Sequence, residues 1–99
     1  SILTQNSTFG TTSTHINKFI LASSTSAITV NLDADDFSEG DEIHVLRYNT
    51  GTVSFAASTG NSIISTVGTT PSIAEQNGVA TAKLINKSSE IWSVFGGIE

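Results

Sequence analysis

The chain has no cysteine, a single proline and only four basic residues. Without thiols there is no disulfide, no thiolate nucleophile and no sulfur ligand for a metal. Lys18, Arg47, Lys83 and Lys87 stand against nine acids, for a net charge of −5. That balance excludes duplex DNA and anionic membranes as expected partners, since both need clustered Lys and Arg. No apolar run approaches the length of a bilayer span, and the first residues lack the basic and apolar regions of a signal peptide. Helical periodicity is sustained nowhere over about ten residues. There is no G-x-S-x-G elbow, no phosphate-cradling glycine loop and no H-E-x-x-H.

What remains is a chain for one modest core. At 99 residues it supports a single domain. Only 13% of residues are charged, while Ser and Thr together number 29, so the polar surface is largely hydroxyl. Ile, Val, Leu, Phe and Trp run along nearly the whole length, which marks a folded protein and not a disordered one. A small residue at position 1 fits removal of an initiator Met and equally fits a chain cut from a longer one.

Residues 1–15, SILTQNSTFGTTSTH, form an expected extended N-terminal arm. Ile2, Leu3 and Phe9 are its anchors, resting on its own domain or on a neighbouring subunit. Residues 16–99 form the expected β domain. KFILA (18–22) is a short apolar run, and AITVNL (27–32) alternates strictly, Ile28, Val30 and Leu32 on one face. EIHVLRYN (42–49) and VSFAA (53–57) flank the loop NTGT and read as a hairpin. Gly60, Gly68 and Pro71 punctuate residues 58–73, and GVATAKLIN (78–86) with EIWSVFGG (90–97) forms a second hairpin. The expected fold is all-β: a compact single-domain sandwich or barrel of about seven or eight short, mostly antiparallel strands.

Six of the nine acids fall in NLDADDFSEGDE, residues 31–42. Closely spaced oxygens suit a hard cation, but an EF-hand loop started at Asp33 would put Phe37 and Ser38 at its fifth and sixth positions. The stretch reads instead as a solvated corner between strands, with Gly40 for the reversal and Phe37 plugging the end of the core. His15 and His44 have no recognisable catalytic context, and His44 is placed to pair with an acid or sit on an interface. Carboxylate pairs such as Asp33 with Asp41, or Glu75 with Glu90, remain open as glycosidase-like pairs. A chain of this size has little room for a deep cleft as well as a core, so no enzyme activity, metal or cofactor is expected. Trp92 and Val94 alternate with Ile91 and Phe95, which makes the last strand apolar on both faces and either central or packed on another subunit. Tyr48, Asn49, Thr50, Thr52 and Asn61 are candidates for a glycan or partner contact, Tyr48 as stacking platform.

The order AITVNL, FSEGDEIHVLRYNTGTVSFAA, SIIST, GVATAKLIN and IWSVFGG resembles a small β domain of bacteriophage virion proteins. That domain occurs at the ends of tail fibres and tail spikes and in neck or tail appendages. The match runs from about Ala27 to Ile98, roughly four-fifths of the chain, with residues 16–22 a looser fit to the first strand. Asn77 stands where an aromatic often precedes the GVAT piece, and GGIE replaces a GDL-like ending. The resemblance implies a non-enzymatic virion building block, trimeric, on the particle surface, with other virion proteins and host-surface glycan as partners. The same domain also implies an alternative, a capsid decoration or head-fibre protein. The GD pair places Asp41 as a structural cap before the strand of Ile43.

Overall fold

A computed structural model describes residues 2–99; Ser1, at the start of the expected arm, lies outside the described residues. The period-two patterns become strands because alternate side chains of a strand point to opposite faces, so one set can be buried together. The fold is all-β, with nine strands among the described residues and one 3-10 turn at Ser13–His15.

The first six strands are β1 (Ile2–Gln5), β2 (Phe9–Gly10), β3 (Phe19–Ala22), β4 (Ile28–Leu32), β5 (Glu42–Arg47) and β6 (Val53–Ala57). Odd-numbered strands join one sheet and even-numbered strands the other. The chain therefore winds as three stacked coils, in the manner of a short solenoid, and each strand pairs in parallel with its counterpart one coil away. Ile2 lies beside Phe19, Phe19 beside His44, Phe9 beside Val30, and Ile28 beside Val53. After β6, strand β7 (Ser62–Ile64) crosses to the far edge of the first sheet. The hairpin of β8 (Val79–Asn86) and β9 (Ile91–Gly96) fills the gap, giving the order β1-β3-β5-β8-β9-β7.

The pairing corrects the sequence expectation of mostly antiparallel strands. Among the described strands β5–β8 and β8–β9 pair antiparallel and the other five pairings are parallel, with two isolated antiparallel bridges at Ser54–Ser72 and Ile73–Ile98. The hairpin expected over 42–57 does not form. Strand β5 is hydrogen-bonded to β3 and β8, while β6 pairs with β4 in the opposite sheet. Arg47 shows how the intervening loop is turned away. Its guanidinium donates to Thr50 O at 2.9 Å and Gly51 O at 3.2 Å, and across to Ile73 O at 3.2 Å. The second expected hairpin, β8 with β9, is present, with a register irregularity between Leu84 and Asn86.

The chain end closes one side. Pro71 O accepts from Phe55 N and Ile73 N donates to Val53 O, laying this segment along β6. Ser72 and Glu99 then exchange backbone bonds of 3.2 and 2.9 Å, and Gly97 N donates to Val79 O of β8. The core between the sheets is made of Ile20, Val30, Leu32, Ile43, Val45, Val53, Phe55, Ile73, Leu84 and Trp92, all fully buried. Each such side chain contributes about 1.5–3 kcal/mol on leaving water. Phe37 plugs the end of this core as its sequence position implied, meeting Trp92 edge-on with ring centres 5.1 Å apart.

Gly51 is the tightest point of the coil crossing. A Cβ there would come within 2.6 Å of Ser24 O and closer still to Ser26 O, both backbone atoms. Gly51→Ala is expected to cost about 3 kcal/mol, because neither carbonyl can swing aside. A urea midpoint equal to wild type would show that residues 24–26 are not held as described.

Candidate functional site

The residues named for glycan contact do not converge. β4 and β6 run side by side from Ile28 and Val53 to Leu32 and Ala57. Tyr48, Asn49, Thr50 and Thr52 lie at the first end, where Thr52 O accepts from Ile28 N. Asn61 lies at the other, bonded through its backbone N to Ser58 O, while Ser58 N reaches Leu32 O. Tyr48 is 54% exposed and free to stack, Thr50 and Thr52 are exposed, and the Asn49 side chain accepts from Thr50 N at 2.8 Å. Asn61 has a different role. Its Oδ1 accepts from Trp92 Nε1 at 3.0 Å and from Ala34 N at 3.1 Å, pinning the largest core side chain and the acidic corner together. Sequence gave no sign of this, since the two partners lie 27 and 31 residues away.

The acidic stretch is largely occupied with its own backbone and its neighbours. Asp41 Oδ2 accepts from Ser38 N at 2.8 Å, capping the turn as the resemblance implies. Asp33 Oδ1 accepts from Asp35 N, Asp36 Oδ2 from Ser13 N, and Glu39 Oε1 from Lys87 N. The Lys87 ammonium donates to the carbonyls of Ala34 and Asp35. No group of three or more His, Asp or Glu side chains is placed to hold a metal among the described residues.

The three arm residues divide. β1 and β2 are edge strands of the domain's own sheets, and Leu3 and Phe9 pack against the core. Ile2 stays 66% exposed on the outer face of the six-stranded sheet. His15 fastens this first coil. Nearly buried and stacked on Phe9 at 4.8 Å, it accepts from Thr12 N through Nδ1 at 2.9 Å. Its Nε2 lies 3.1 Å from Gln5 Oε1, and because the amide oxygen only accepts, Nε2 carries the proton.

The strongest constellation is on that outer sheet face. Side chains of registered partners share a side, so one row crosses five strands: Ile2, Phe19, His44, Thr81 and Phe95. A second row runs Thr4, Leu21, Leu46 and Val79. Beside them sits a polar group. His44 Nε2 meets Glu42 Oε2 at 2.8 Å, His44 Nδ1 meets Thr81 Oγ1 at 2.8 Å, and Lys83 Nζ donates to Glu42 Oε1 at 3.0 Å. The Lys83 bond, then the Lys83 and His44 charges, hold the Glu42 carboxyl below its ordinary range, with partial burial working against them. His44 thus pairs with an acid, one of the two roles its strand position allowed. Thr, His and carboxylate stand in the order of a proton relay, but on a flat strand face, and no cavity opens beside it among the described residues. Its chemistry is that of a neutralised polar island in an apolar surface. Val79 is 36% and Phe95 48% exposed on that surface, so Trp92 faces the core while Phe95 on the same strand faces outward.

No protein-family model matches the chain, and no curated protein matches it.

Two measurements check this geometry. Asn61→Ala is expected to cost about 2–4 kcal/mol, because it strands the Trp92 and Ala34 donors in or near the core; a change below about 1 kcal/mol would mean that the bonds are not made. The second concerns acid. Burial lowers the His15 pKa from its ordinary 6.5, so below that pH the unfolded chain takes up a proton that the folded state refuses. Stability is full above 6.5 and falls as the pH drops from there toward the lowered folded value. The unfolding temperature is therefore expected to fall from about pH 7.5 to about pH 5, and to fall less in His15→Gln. Identical slopes for the two proteins would remove the His15 contribution.

Proposed function

We propose that the chain is a non-enzymatic structural module of a bacteriophage virion, of the exposed tail-fibre or appendage type, which assembles as a homotrimer. The observation that supports assembly is the outer face of the six-stranded sheet, where Ile2, Val79 and Phe95 are exposed and Phe19, Leu21 and Leu46 are half-buried. A sheet face of that composition is unfavourable in water and favourable against another protein surface. Two further features fit a particle exposed to its surroundings: a surface rich in hydroxyls, and polar clusters used to fix turns and strands. The Tyr48 end, with Asn49, Thr50 and Thr52, is the part of the module available to touch a host-surface glycan or a neighbouring virion protein. The succession of motifs that resembles the phage domain is the source of the virion assignment.

Light scattering at micromolar concentration is expected to give about 31 kDa, three times the 10.3 kDa chain. A lone chain at that concentration would reject self-assembly. Gold labelling through this protein on purified particles is expected on the tail; label on the head would transfer the same module to the capsid as a decoration or head-fibre protein.

A further inference from the structure

The first coil, made of β1, β2 and the turn at Ser13–His15, is held differently from the rest of the molecule. Every buried apolar side chain among the described residues lies at residue 20 or beyond, and Leu3, Phe9 and Ile16 only rest half-buried against that core. The buried side chains of the coil itself are polar, Thr11 and His15, each 5% exposed. Thr11 Oγ1 donates to Asp33 O at 2.9 Å and accepts from Asp33 N at 2.8 Å. His15 clips the coil together, reaching β1 through Gln5, β2 through Phe9 and its own turn through Thr12. The ladders that join this coil to the next are short, four registered pairs for β1–β3 and two for β2–β4. A segment with little buried apolar area and short ladders opens at a lower free energy than the whole domain.

The chemistry of the clip makes it sensitive to acid. Thr12 precedes the turn and His15 is its third residue, the place where a capping pair ordinarily uses Glu or Gln to accept a backbone N–H. A neutral imidazole accepts through one nitrogen, whereas an imidazolium donates through both. Nε2 already carries a proton toward Gln5, so a second must go on Nδ1, the atom that accepts from Thr12 N. Two donors then face each other, and Thr12 N–H is left without its acceptor. The Thr12 hydroxyl, 3.3 Å from Nδ1, is shared with Thr14 Oγ1 at 2.9 Å. Burial outweighs the attraction of the Phe9 face for a cation and a partly compensating contact with the Thr12 backbone, so the folded pKa lies below 6.5.

The ring's own contacts, Gln5, Phe9 and Thr12, are uncharged. The charged groups on the elements around it are Lys18, which follows the turn, Asp33 and Asp36, bonded to Thr11 and Ser13, and Glu42, whose N–H is bonded to Asn17. Among the described residues the imidazole that forms an ion pair is that of His44.

We propose that His15 is an acid-released latch: when its ring takes up a second proton, residues 2–15 open as a unit while the sheets from β3 onward stay folded. Opening bares the edges of β3 and β4 that β1 and β2 now cover.

The test is amide hydrogen exchange of the whole chain in low urea at about pH 7.5 and about pH 5.5, a window above that in which free carboxyl groups titrate. Thr11, Ser23 and Asp33 report the coil, since their N–H groups bond between it and the next one, to Asn31 O, Gln5 O and Thr11 Oγ1. Leu84 and Ile73, bonded to Asp41 O and Val53 O, report the rest. The coil reporters are expected to open with a smaller urea dependence than Leu84 and Ile73, and their protection is expected to fall several-fold, at most about tenfold, at the lower pH. In His15→Gln, which accepts from Thr12 without titrating, that fall is expected to vanish, while His44→Gln keeps it. Coil reporters that share the urea dependence of Leu84 overturn opening as a unit. A fall that is absent in the wild type, persists in His15→Gln or is lost in His44→Gln overturns His15 as the trigger. Should His15→Gln not fold, His15→Asn is read in the same way.

Discussion

The structure depends on the hydrogen bonding of β5 along both of its edges. On one edge it pairs in parallel with β3 and belongs to the winding part of the molecule; on the other it pairs antiparallel with β8 and belongs to the hairpin part. One strand thus serves both halves, and the segment bonded along β6 and the Asn61 bonds to Ala34 and Trp92 join them further. Its ends are fastened accordingly. Asn17, in the left-handed conformation that Asn tolerates, accepts from Glu42 N through its side chain and donates its own N–H to Glu42 O. At the other end Arg47 collects carbonyls from residues 50, 51, 73 and 74, which ties the coil crossing to the segment beside β6. The outer-face side chains of β5, namely Glu42, His44 and Leu46, then lie in the middle of the sheet, which is why the polar group and the apolar rows adjoin there.

Sequence patterning revealed most strands after residue 16 and which of their side chains are buried, but not β1 and β2, which were read only as an extended arm. Ile28, Val30 and Leu32 share the buried face as their alternation required, and so do Ile43 with Val45 and Val53 with Phe55. Pairing was not legible, for a physical reason. Alternation records that one face of a strand is buried, and this is equally true whether the neighbour is the next strand in sequence or one a coil away. NTGT has the composition of a hairpin loop, yet Gly51 serves close packing against residues 24–26, not the reversal of one sheet. The β8–β9 hairpin was legible because its partners are local and its turn is short.

The site was legible in fragments. His44 and the doubly apolar last strand were visible as oddities, but the row from Ile2 to Phe95 joins strands far apart in sequence. No spacing rule connects residues whose register is set by parallel coils. Asn61 shows the converse. A polar residue in a Gly-containing loop has the composition of a surface contact, and only the buried indole facing it reveals that it is part of the core.

The coil arrangement also has a kinetic side. Ile2 must find Phe19, Phe19 must find His44, and Ile28 must find Val53, so nearly every pairing closes a long stretch of chain before it returns any stabilisation. Only the β8–β9 hairpin can form early and locally. Such non-local topologies fold in milliseconds to seconds, not microseconds. Strand edges on the way to the native state stay open for that whole interval, and a neighbouring chain that covered them would shorten the exposure.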